Sequence, residues 1–61
     1  MPSAACNLKL LWSRRLAASR AYREGRLSFV SKMYPDVEGW VIENAALPMS
    51  EILALANKAL G

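Results

Sequence analysis

The chain has 61 residues, of which 54% are hydrophobic, with a net charge of +3, a single cysteine and no histidine. This length allows one domain, residues 1–61. It buries only about 60% of its unfolded surface, so folding is marginal unless something staples it. One cysteine excludes an internal disulfide, and one cysteine without histidine excludes a Cys/His zinc cage; oligomerisation is the staple that remains.

Residues 1–6 read as a lead-in, with Ser3 or Asn7 available to cap the first helix. From about residue 7 to 24 nothing breaks a helix, and alanine, leucine and arginine favour one. Gly25 supplies the stop. Leu8, Leu11, Trp12, Leu16, Ala18 and Tyr22 share a broad apolar face, interrupted by Arg15 and Ser19. Arg15 must therefore snorkel, pair with a carboxylate, or reach a partner. Residues 26–34 are ambiguous between a short helical turn near 28–33, capped by Ser28 and burying Phe29, Val30 and Met33, and an extended run. Tyr34 precedes Pro35, which places a boundary there.

Pro35 reads as the first residue of a second helix over about 35–46, with Asp36 and Glu38 in its first turn and Val37, Trp40, Val41 and Ala45 as its apolar stripe. Gly39 and the β-branched pair Val41–Ile42 weaken that helix, so a strand over 37–42 is the alternative. The last helix, about 48–60, has Pro48 in its first turn, Glu51 early, Lys58 late and Gly61 behind it. Its stripe of Met49, Ile52, Leu53, Ala56 and Leu60 follows helical spacing, and Leu55 and Ala59 widen it. So apolar a helix in so short a chain reads as a core completed by another copy, although ten alanines inflate the apolar count. The expected fold is an all-α, three-helix domain completed by oligomerisation.

Charge divides unevenly: residues 1–32 carry seven cations against Glu24, whereas residues 33–61 carry Lys58 against four acids. A basic half suggests nucleic acid; it also suits a chain whose two halves attract each other. General acid–base and nucleophile pairs built on histidine are excluded, and no glycine-rich phosphate loop is present, so an enzyme, a cofactor or a metal is not expected. A helix-turn-helix fits poorly, because its second helix must present basic residues to the major groove and here carries Lys58 alone. At ~100° per residue, Lys9, Arg20 and Arg23 cluster on one side of the first helix, with Arg14 nearly opposite Arg23. A phosphate contact through Arg14, Arg20, Arg23 and Arg26 is the alternative function.

Residues 1–23 lack acids and resemble a presequence or membrane-surface helix in composition. No stretch approaches the ~20 apolar residues of a membrane span, and a lone cysteine suits the reducing cytoplasm. Cys6 is expected to be accessible and dispensable. Trp12, Tyr22, Tyr34, Trp40, Met33 and Met49 form an anchor-rich set, in which Trp40 reads as core and Trp12 as a surface anchor. The expectation is a non-enzymatic regulator or adaptor that binds a macromolecular partner, most of all a protein, through Trp12, Arg14, Arg15, Arg20, Arg23 and Arg26. Its self-association would use Met49, Ile52, Leu53, Ala56 and Leu60.

Overall fold

The computed structural model describes the backbone of residues 4–61 and the side chains of residues 7–61; Ser3 and the Cys6 side chain lie outside them. The described residues form an all-α domain of four helices and no strand: α1 (Ala4–Arg23), α2 (Leu27–Met33), α3 (Glu38–Glu43) and α4 (Met49–Leu60). No helix among them is long and apolar enough to cross a membrane.

The first helix runs 20 residues and takes Asn7 inside it rather than as its cap. It stops where the sequence places glycine. The Arg26 amide reaches back to the Ala21 carbonyl at 2.9 Å, and the Gly25 amide to Tyr22 at 3.0 Å, which is the paired C-terminal bonding of a Schellman motif. That bonding needs a left-handed residue, and Gly25 supplies it at φ 80°.

Of the two readings of the ambiguous segment the helical one holds, and the turn grows into a seven-residue helix, α2. It begins at Leu27 with Arg26 at its N-cap, so Ser28 is interior and does not cap. Val30 is fully buried, Phe29 half-buried and Met33 exposed. Tyr34 ends it ahead of Pro35, with its amide 2.8 Å from the Val30 carbonyl.

The helix expected over 35–46 contracts to Glu38–Glu43. Its beginning is lost because Tyr34 to Val37 form a turn, closed by the Val37 amide on the Tyr34 carbonyl at 3.2 Å. Pro35 serves there as the second residue of a turn, a role that its fixed φ suits equally well. At the other end Asn44 caps the helix, its side-chain amide donating to the Trp40 carbonyl at 2.8 Å. The last helix matches its expected span to within a residue, with Pro48 at the N-cap in extended geometry instead of inside the first turn.

α1 is the wall on which the others are assembled: α2, α3 and α4 each make their main contacts with it. Ala18, Ala21, Val30, Val37 and Val41 form the central cluster, with Leu11, Tyr22, Phe29, Tyr34 and Trp40 packed around it. On α4 only Ile52 and Ala56 are buried. Met49 is half-buried, while Leu53 and Leu60 are 39% and 44% exposed, so the five-residue stripe is not one buried face.

That division generates an expectation. Ile52→Ala removes a fully buried side chain and should destabilise the fold by about 2–4 kcal/mol. Leu53→Ala should cost under about 1 kcal/mol, because much of that side chain is already in water. Gly25→Ala should cost about 1 kcal/mol through its left-handed φ. Urea denaturation followed by circular dichroism reads all three, and equal losses at Ile52 and Leu53 would show that α4 is covered on both flanks.

Candidate functional site

The arginines nominated from sequence meet different fates, decided by which aromatic or carboxylate the fold sets beside each. Arg14 forks onto Asp36: its Nε lies 2.8 Å from Oδ2 and its Nη2 2.6 Å from Oδ1. The same Nη2 donates to the Met33 carbonyl at 3.2 Å, and the guanidinium stands 5.0 Å from the centre of the Tyr34 ring. One side chain thus ties α1 to the end of α2 and to the turn between α2 and α3. The bidentate hydrogen bond from Arg14 lowers the Asp36 pKa from its usual carboxylate value, and that bond to Asp36 raises the pKa of Arg14.

Arg15 resolves the interruption of the apolar face by stacking. Its guanidinium carbon lies 4.9 Å from the Trp12 ring centre and 4.6 Å from that of Trp40, and the two indoles meet edge-to-face at 5.4 Å. The charge needs no carboxylate here, because both rings offer it their negative faces. Its Nε is buried without a hydrogen-bond partner among the described residues. Trp12 is 7% exposed, so the residue expected as a surface anchor is instead a wall of this corner. The physical reason is that the fold brings Trp40 of α3 edge-to-face against the Trp12 indole, a contact between helices that spacing within α1 does not reveal. Trp40 itself is half-buried beside the core.

Arg26 lies 4.5 Å over the Phe29 ring and 3.5 Å from Glu24. Arg23 is exposed, and its guanidinium donates to the Leu47 carbonyl just ahead of α4. Arg20 is exposed on the same side of α1, about 60° away. Lys9, Arg20, Lys32 and Lys58 make no ion pair among the described residues.

Two partners were not legible in the sequence. Asp36 is 22 residues from Arg14, and Trp40 is 25 from Arg15, and no local spacing links either pair. Among the described residues there is no pocket and no group of His, Cys, Asp or Glu arranged to hold a metal. Comparison with protein-family models, characterised proteins and solved structures returns no match to this chain.

The Arg14–Asp36 pair carries a pH signature. An unfolded aspartate titrates near pH ~3.9. The folded value is lower, so the pair's stabilisation is complete above that point and is lost as pH falls through the depressed folded value. Urea midpoints of wild type should therefore fall more steeply than those of Asp36→Asn as pH drops from ~5 to ~2. Parallel curves would show that the fork contributes nothing to folding.

Proposed function

We propose that this chain is a non-enzymatic regulator or adaptor that acts by binding a protein and that associates with itself, in the reducing cytoplasm to which its single cysteine is suited. The observation that carries this reading is how the surface is divided. Arg14, Arg15 and Arg26 serve internal pairs or stacks, and Arg23 holds a backbone carbonyl, so Arg20 is the one nominated arginine without such a role among the described residues. Cations so dispersed offer little to a phosphate backbone, whose binding grows with the number of phosphates neutralised together. Large apolar side chains meanwhile stay in water, among them Leu10 at 63%, Met33 at 51%, Ile42 at 49% and Leu27 at 48%. Exposed apolar side chains on a small surface that also carries the exposed Arg20 and Arg23 support a protein interface.

The test combines charge reversal with a direct search for nucleic acid. The double variant Arg20→Glu, Arg23→Glu should retain the helical circular dichroism spectrum, since exposed charges contribute little to folding. It should also lose the partner that co-purifies with tagged wild type, because reversal sets like charges together. Arg20→Glu alone separates that effect from the loss of the Arg23–Leu47 tie. Oligonucleotides at low salt should bind weakly. Tight binding that collapses steeply with added salt would overturn the protein reading in favour of nucleic acid.

A further inference from the structure

The last helix leaves its side away from α1 unused within the chain. Ile52, Ala56 and the half-buried Met49 turn toward α1. Glu51, Ala54, Leu55 and Lys58 follow each other at i, i+3, i+4 and i+7, so they form a single stripe on the far side, and all four are exposed. Glu51 and Lys58 are the only charged residues of α4, and neither makes an ion pair among the described residues. Seven residues separate them along the axis by about 10.5 Å.

The geometry points to a second copy of this chain as the occupant of that stripe, with the two α4 helices antiparallel about a two-fold axis that passes between Ala54 and Leu55. The charge pattern selects this arrangement. Antiparallel, Glu51 of each copy faces the partner's Lys58, giving two identical ion pairs at the ends of an Ala54–Leu55 centre. Parallel, glutamate would face glutamate and lysine lysine. Such an isologous contact closes on itself as a dimer. The macrodipoles of the two helices also oppose each other. Alanine at position 54 lets the helix axes approach. The contact is small, one helix about 18 Å long against another. It therefore belongs with weak, concentration-dependent associations rather than with interfaces burying ~800 Å² per partner. The inference rests on the self-association part of the proposed function and not on the protein partner.

Charge exchange followed by sedimentation equilibrium tests it on the full chain. Wild type should move from monomer toward dimer as concentration rises into the high micromolar range. Glu51→Lys and Lys58→Glu, each alone, replace both ion pairs with repulsion and should weaken the dimer by about tenfold. Mixing the two variants in equal amounts sets lysines against glutamates and should restore the wild-type dissociation constant. Restoration on mixing cannot come from a folding defect, since neither chain alone is repaired. Wild type that stays monomeric at millimolar concentration would overturn both self-association and this interface. A dimer indifferent to the variants and to their mixing would overturn the α4 stripe alone, and would assign self-association to another face, such as that of Leu53 and Leu60.

Discussion

Everything in this fold depends on how closely other helices can approach α1. Buried positions on α1 are mostly small: Ala18, Ser19 and Ala21 lie at or near zero exposure, and Trp12 is the large exception. Small side chains bring the backbones near enough for one layer of valines, Val30, Val37 and Val41, to fill the space between. The short helices α2 and α3 have seven and six residues, lengths at which helix formation in isolation is unfavourable. They persist because each contributes buried valine to the surface of α1. The Schellman stop at Gly25 matters for the same reason, since it turns the chain back so that Val30 reaches Ala18 and Ala21.

A core this thin cannot exclude charge, and it uses charge at its margins. Three arginines are held against aromatic rings, Arg14 on Tyr34, Arg15 on Trp12 and Trp40, and Arg26 on Phe29. Guanidinium is suited to this role, being flat and weakly hydrated, with its aliphatic stem free to cover apolar neighbours. Among the described residues the attraction between the basic first half and the acidic second half is therefore realised in one ion pair between halves, Arg14 with Asp36. Arg15 and Arg26 are taken up by stacking instead, and Arg23 by the Leu47 carbonyl.

The helical class, the stop at Gly25, the boundary at Tyr34–Pro35 and the span of α4 were legible because each rests on local chemistry: propensity, glycine at a left-handed position, the residue before proline, and apolar periodicity. The start of α3 was not, because Pro35 fits the first turn of a helix and the second place of a turn equally, and tertiary packing chose between them. Nor was the division of α4 into buried and exposed flanks. Periodicity gives the width of an apolar stripe, while a single neighbouring helix covers only Ile52 and Ala56. The candidate site was least legible. Exposure of Arg20 could be read from helical spacing, whereas the contact of Trp12 with Trp40 joins two helices, which no local spacing reveals.

The uncovered part of α4 arises from the same economy of size. Covering an apolar helix on all sides takes three or more neighbours, and this chain has one long helix to offer, already occupied on its other faces by α2 and α3. A longer chain would supply another helix, and a more polar α4 would need none. With α4 as it is, leucines at positions 53, 55 and 60 remain 38–44% in water. Apolar surface left in water in this way is what contact with another surface would remove. The opposite charges at its two ends cost folding little, because Glu51 in the first turn and Lys58 in the last both suit the dipole of their own helix.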